Sequence, residues 1–250
     1  DPDICICVDC GDTGRFPGRA GKFLSAGTTI CVDHHMTEKY FCDYNYVDPD
    51  EAATGQIIYQ LLKELGAEPD PAEGEAIYAA ITTDTGDFTY SNTRKKSHQI
   101  VAELYDWGCD FNKVSVEIYE NVRVEKIRMH AGAMETLRLI GGGKGALVSV
   151  TQKLLADTGA KMDESEGLAQ DLRSISGVEF AAVLKEYGPE NIRVSFRAKR
   201  LGNVAEIAAN LGGGGHLKAA GCTIKAPMAR AEAMVEKEIL KAIERLETDE

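Results

Sequence analysis

Positive charge is scarce in this sequence: 28 Lys and Arg stand against 40 Asp and Glu in 250 residues, a formal net charge of −12 at pH 7. Holding a long nucleic acid takes a broad basic surface that neutralises many phosphates, so that class of partner is disfavoured, while a small anionic substrate in a locally basic pocket is not. Long apolar runs are missing too. None approaches the roughly 18 residues that a membrane span needs, and no charged-then-apolar leader opens the chain, so a soluble, cytoplasmic protein without a membrane partner is expected. Internal repeats and low-complexity tracts are also lacking. The seven cysteines (Cys5, Cys7, Cys10, Cys31, Cys42, Cys109 and Cys222) form an odd set, and Cys7-x-x-Cys10 has no second paired motif downstream. Buried reduced thiols are therefore expected rather than a disulfide scaffold or a structural zinc site.

What is present reads as α/β. The 44% apolar content suffices for two compact domains or one large one. Ile4-Cys5-Ile6-Cys7-Val8 has the length and composition of a strand buried on both faces, and ends in the polar loop Asp9-Cys10-Gly11-Asp12. A second apolar run, from Thr28 to Val32, delivers Asp33-His34-His35 at its tip, where strand ends of α/β proteins bind ligands. Residues 16–27 have helix-compatible spacing broken by glycines. Helical spacing then covers 53–65, stopped by Gly66, as well as 73–83 and 95–107. Between the last two lies Thr83-Asp84-Thr85-Gly86-Asp87-Phe88, a third acidic turn. Residues 112–134 read as a mostly helical, charged connection between domains. Beyond it come a hairpin around Gly141-Gly142-Gly143, a helix over 164–175, strands over 178–187 and 192–198, and a helix over 204–211 capped by Asn203. Gly212-Gly213-Gly214-Gly215-His216, a strand near Cys222 and a terminal helix over 228–246 complete the chain.

Asp9, His34 and Asp84 each follow an apolar element in or beside a loop. A mixed carboxylate and imidazole set suits Mn²⁺ or a similar divalent ion, and two such ions about 3.5–4 Å apart can clamp a phosphate and generate hydroxide at neutral pH. An Asp after a strand is more often a turn former, which is the reading for Asp12 and Asp87. His98 and His130 read as surface or packing residues. His216 differs, because four preceding glycines let the backbone approach a ligand and leave amides for an anion. Arg197, at the end of a strand in the same half, could bind phosphate bidentately, and Lys199, Arg200 and Lys218 could make the pocket locally positive.

Four ordered motifs carry a resemblance over essentially the whole chain. Val32-Asp33-His34-His35 resembles the signature of the DHH phosphoesterase family, and Gly212-Gly213-Gly214-Gly215-His216 with Ala219-Ala220-Gly221 resembles that of its DHHA1 substrate domain. Val8-Asp9-Cys10-Gly11-Asp12 is similar to the family's second motif. Thr83-Asp84-Thr85-Gly86-Asp87-Phe88 with Tyr90-Ser91-Asn92-Thr93 is similar to its fourth. The resemblance implies a parallel-sheet DHH domain over 1–120, lacking its first strand, a helical connector over 121–130 and a smaller α/β DHHA1 domain over 131–250.

Within the family the likeness is to the short enzymes that cleave oligoribonucleotides of a few residues and dephosphorylate pAp, usually with two Mn²⁺ ions, Mg²⁺ or Co²⁺ being alternatives. By that likeness Asp9 would bridge two ions, His34 and Asp84 would complete one ion's ligands, and His35, with Asp33, would act at the scissile phosphate. Arg197, Gly212 to Gly215, His216, Ser91 and Asn92 would hold the substrate. Partners would be short oligoribonucleotides, pAp or dinucleotides, and a homodimer is allowed. The family's first motif, a strand end with a His and two Asp, has no counterpart, so the chain is expected to be cut from a longer enzyme. Cyclic or linear dinucleotide hydrolysis is the alternative activity. A non-catalytic nucleotide-binding protein is the alternative if the first motif is truly lacking.

Overall fold

The two apolar runs near the N-terminus pair side by side and in parallel. Strand β1 (Ile4–Val8) aligns with β2 (Thr28–Asp33) so that Val8 lies beside Val32, and β2 pairs in parallel with β3 (Tyr44–Val47). The short helix α1 (Pro17–Leu24) joins the first two strands and puts Phe23 against Cys7, Cys10 and Cys31, a thiol-rich core on one face of the sheet. This computed structural model describes residues 2–35 and 40–248, in two compact units, Asp1–Asn121 and Val122–Glu250.

One expectation for β1 is corrected. The strand is covered on its cysteine side only, because α1 lies on that face, while Ile4, Ile6 and Val8 on the other face are more than half exposed. The central strand β2 is the buried one, with Cys31, Val32 and Asp33 nearly inaccessible.

Helices fill the rest of the first unit: α2 (Thr54–Glu64), α3 (Pro71–Asp84), α4 (Lys95–Leu104) and α5 (Phe111–Ser115). Their contacts centre on Tyr59, Ile77, Ile81, Ile100 and Leu104. Helix α3 begins two residues before the expected start. Asp70 accepts from the Glu73 amide (2.9 Å), the Glu73 carboxylate accepts from the Asp70 amide (2.8 Å), and Pro71 occupies the first turn, a capping box with preset φ. At its other end Asp84 is the last helical residue rather than part of the following turn. The connection read as one helix breaks after a single wide turn (Val116–Glu120) at Asn121. Residues 121–123 lead into α6 (Val124–Met134), which takes up the rest of the expected connector over 121–130 and whose Met129 and Ala133 are buried in the core of the second unit.

That second unit is a six-stranded mixed sheet in the order β4-β5-β6-β7-β9-β8. Its strands are β4 (Arg138–Ile140), β5 (Gly145–Val150), β6 (Phe180–Gly188), β7 (Asn191–Ala198), β8 (Gly214–His216) and β9 (Ala219–Ile224). Only β5 and β6 run in parallel. Alternation along the strands sorts side chains to two layers. Phe180, Leu184, Val194 and Phe196 face Val235 and Ile239 of the terminal helix α10 (Met228–Thr248) and Ile207 of α9 (Val204–Asn210). Ala181 and Val183 face α6, Leu155 of α7 (Gln152–Thr158) and Leu172 of α8 (Leu168–Ser174). The helix expected over 164–175 is split, because Gly167 has φ 101° and ends a short 3₁₀ turn before α8 begins.

The four-glycine run is partly strand. The amides of Gly212 and Gly213 donate to the carbonyls of Ala209 (3.0 Å) and Ala208 (2.8 Å), closing α9, and Gly214–His216 pairs with β9. A Cβ on Gly213 would lie 2.2 Å from the Gly221 carbonyl oxygen and 2.6 Å from the Cys222 Cα. Gly213 is thus required by close backbone approach. Gly213→Ala is expected to destabilise the second unit by about 2 kcal/mol, as overpacking does, read as a lower midpoint for its transition in urea.

Candidate metal centre

Parallel pairing of β1 with β2 puts the residues just beyond both strands at one edge. Asp9 follows Val8 with φ 57°, a left-handed conformation that Asp tolerates better than bulky residues, and its amide donates to the Val32 carbonyl (3.0 Å). Asp84 arrives from the C-terminal end of α3. There His34 Nε2 lies 3.7 Å from Asp9 Oδ1 and 3.5 Å from Asp84 Oδ2, and His35 Nδ1 lies 3.9 Å from Asp9 Oδ1. The ligand atoms of Asp9, His34 and His35 all lie within 4.8 Å of one another.

Hydrogen bonds fix how each group presents itself. His34 Nδ1 is 3.2 Å from the Glu51 carbonyl oxygen, an acceptor, so Nδ1 carries a proton and Nε2 is the ring atom presented to Asp9 and Asp84. Asp33 is fully buried beneath both imidazoles. Its Oδ1 accepts from the His34 amide (2.7 Å), the His35 amide (3.1 Å) and His35 Nδ1 (2.8 Å). Burial acts to raise its carboxyl pKa, but these bonds, chiefly from His35, outweigh burial and hold the group below the ordinary carboxylate range. The bond to His35 Nδ1 leaves that ring's Nε2 for another partner.

Two carboxylates that approach the same imidazole repel one another, and Asp84 also sits at the negative end of a helix dipole. Burial pushes the Asp84 carboxyl pKa up; His34 opposes that shift and Asp9 reinforces it. A bound cation relieves all three costs. The donor set, one imidazole nitrogen with two carboxylate oxygens and a second imidazole nearby, matches hard-to-borderline divalent ions and not thiolate-seeking ones. The residues present therefore fit a divalent ion.

Several supporting residues were not singled out in the sequence. Thr54, at the start of α2, donates to Asp9 Oδ1 (2.8 Å). Glu51 is 7% exposed and accepts from Gln56 (2.8 Å), Gln60 (3.0 Å) and the Lys96 ammonium, so the loop whose carbonyl aligns His34 is anchored by a buried charge. The one sequence signal was the polar pair Thr54 and Gln56 in a helix whose buried face is otherwise apolar. Asn92 Nδ2 donates to the carbonyls of Asp84 (3.0 Å) and Ala52 (3.2 Å), tying the Asp84 turn to the start of α2. Ser91 is exposed beside it.

The remaining expected residues lie in the second unit. Arg197 is half-buried on β7 and its guanidinium donates to the Phe196 carbonyl (2.9 Å). His216 is exposed at the end of β8. The reading of the glycine run as a set of free amides is corrected for Gly212 and Gly213, whose N–H groups are taken by α9, while Gly214 and Gly215 lie in the outermost strand of the sheet.

Comparison with known proteins matches this layout. The DHH family N-terminal domain model covers residues 2–90, and the DHHA1 domain model covers residues 142–248. The chain carries a DHH family N-terminal domain followed by a DHHA1 domain. It is 31% identical over 212 residues to the bifunctional oligoribonuclease and PAP phosphatase NrnA of Thermus thermophilus, an alignment that takes in 84% of this chain and 62% of that protein. With NrnA of Bacillus subtilis it is 29% identical over 225 residues, 88% of this chain and 70% of that protein. The chain thus spans about two thirds of the length of these relatives. A crystal structure of an exopolyphosphatase-related protein from Bacteroides fragilis superposes with a TM-score of 0.91 at 25% identity, covering 98% of this chain and 73% of that one. Among the described residues no helix is long and apolar enough to cross a membrane.

Proposed function

We propose that the chain is the catalytic and substrate-binding portion of a divalent-metal-dependent phosphoesterase that hydrolyses short oligoribonucleotides to mononucleotides, pAp to AMP, or both. The observation that carries this reading is the convergence of Asp9 Oδ1, His34 Nε2 and Asp84 Oδ2 beside His35. The likeness to the two NrnA proteins supports the substrate class.

In this reading Asp9, His34 and Asp84 hold a divalent ion, with Mn²⁺ the expected metal, in the first unit. Such an ion, when bound, polarises phosphoryl oxygens and lowers the pKa of a coordinated water. The chain's own residues do the rest. Thr54 holds the Asp9 carboxylate in place, and the Glu51 carbonyl fixes the His34 tautomer. Asp33 accepts from His35 Nδ1 and so positions the ring; when the ring carries both protons its Nε2 donates to a phosphate oxygen as negative charge develops there. Asp33 is therefore a positioning residue, whereas His35 touches substrate. Arg197 and His216 of the second unit hold the substrate's terminal nucleotide. Asn92 acts by securing Asp84. The net charge of −12 suits a substrate with few phosphates and a cytoplasmic enzyme that leaves long RNA alone.

Side-by-side turnover of pAp, a 5′-phosphorylated triribonucleotide and c-di-AMP with Mn²⁺ tests the proposal. Release of AMP from the first two substrates, with slower loss of c-di-AMP, is expected. Faster hydrolysis of c-di-AMP would favour a cyclic-dinucleotide enzyme. Nucleotide binding without turnover of any of the three would favour a binding protein.

A further inference from the structure

On the strand half of the second unit that α6, α7 and α8 leave uncovered, alternate residues of β6 and β7 point into an open pocket. Lys185 pairs directly across the sheet with Arg193, so two cations stand opposite one another on the same face. Like charges in that arrangement destabilise a sheet. No carboxylate lies within ion-pair distance of either among the described residues; the Arg193 guanidinium instead stacks on the Tyr187 ring, 4.2 Å from its centroid. The pocket has a volume of about 540 Å³, and Lys185, Tyr187, Arg193, Ser195, Gly213 and Thr223 contribute to its walls, with no acidic residue among the lining. It continues past Lys185 and Ser195 into a smaller cavity of about 260 Å³ that reaches Arg197. There Asp163 and Glu166 are the acidic lining residues.

We propose that Lys185 and Arg193, with Tyr187, form a second phosphate-binding subsite that holds a non-scissile phosphate of the nucleotide substrate. The inference rests on the phosphoesterase reading above and names residues that no motif marks. A phosphate between Lys185 and Arg193 removes their mutual repulsion. Ser195 and Thr223 add hydroxyl donors on the same face. Tyr187 offers a ring edge beside the guanidinium that already covers its face. The Lys185 ammonium responds to the same surroundings: burial lowers its pKa first, Arg197 and Arg193 lower it further, and Glu166 opposes them. That combination marks a cation held near others without a full complement of acids. Arg197 lies four residues from Arg193 along β7, about 13 Å at the rise of a strand, so the two ends of this track suit successive parts of one oligonucleotide.

The test compares pApA with ApA on the full 250-residue chain, wild type against Lys185→Ala/Arg193→Ala, by calorimetry without divalent ions and across a salt series. The double variant should bind pApA about tenfold or more weakly, with the slope of log K against log salt reduced by about 0.7 for each phosphate charge that is no longer neutralised, and should bind ApA within twofold of wild type. Lys185→Arg should restore most of the pApA affinity. Equal losses for pApA and ApA, or no loss for either, would overturn the subsite, as would a salt slope identical to wild type. Unchanged circular dichroism and the unchanged ApA affinity separate these outcomes from misfolding. Because binding is read without turnover, a chain that proves inactive on all phosphoesters would defeat the functional reading while leaving the subsite measured on its own.

Discussion

Replacing His34 with alanine is expected to reduce turnover by more than the roughly 100-fold that loss of an outer-shell partner of a metal typically costs. The imidazole lies between two carboxylates, its Nε2 3.7 Å from Asp9 and 3.5 Å from Asp84. Without it the two acids face each other across an unfilled gap, and a bound ion loses a nitrogen ligand together with the geometry that spaces the oxygens. Asp33→Asn makes the informative comparison. The amide oxygen can still accept from the two backbone amides, but the charge that orients His35 is gone, so a fall of about 10- to 100-fold in kcat with Mn²⁺ affinity little changed is expected. Steady-state kinetics with a parallel Mn²⁺ titration distinguishes the two variants. His34→Ala should weaken both turnover and metal binding, and near-normal turnover in His34→Ala would remove His34 from the site.

The second large effect is on stability. Lys96→Met should destabilise the first unit by about 2–4 kcal/mol, somewhat below the usual cost of breaking a buried pair because Lys96 itself is half exposed. Glu51 is left as a buried carboxylate supported only by Gln56 and Gln60. The same loop supplies the carbonyl that accepts from His34 Nδ1, so weaker Mn²⁺ binding should accompany the lower melting temperature. Adding Glu51→Gln to Lys96→Met should recover much of the loss, since a neutral amide needs no cation. A double-mutant cycle by urea denaturation, following the first unit's transition, checks this coupling. Strict additivity of the two substitutions would show that the pair does not act as a unit.

The residues that converge at the candidate metal centre were legible because each stands at an abrupt change of pattern. Asp33-His34-His35 ends an apolar run, Asp9 ends another, and Asp84 closes an apolar helix, so the change from apolar to polar residues put them at element ends. Parallel pairing then aligned the first two, and helix α3 brought the third. The supporting shell was not legible. Glu51 acts through a backbone carbonyl and through bonds with Gln56, Gln60 and Lys96, and Lys96 lies 45 residues away in sequence, which no local pattern encodes. The burial of β1 was misread for a related reason. An apolar run shows that a strand can be buried on both faces, but coverage depends on which helices pack there, and α1 covers only the cysteine side. The glycine run drew attention as an anion cradle, yet Gly213 is needed where the end of α9 presses against β9. Lys185 and Arg193 sit in ordinary alternating strands, and only the register of β6 against β7 sets them opposite each other.

Anomalous diffraction from crystals grown with Mn²⁺ tests the central claim most directly. The account predicts a manganese peak roughly 2.0–2.3 Å from His34 Nε2 that is also ligated by carboxylate oxygens of Asp9 and Asp84, and that disappears in His34→Ala. Manganese bound elsewhere, with these three side chains making no contact to it, would contradict the assignment of this strand edge as the metal centre.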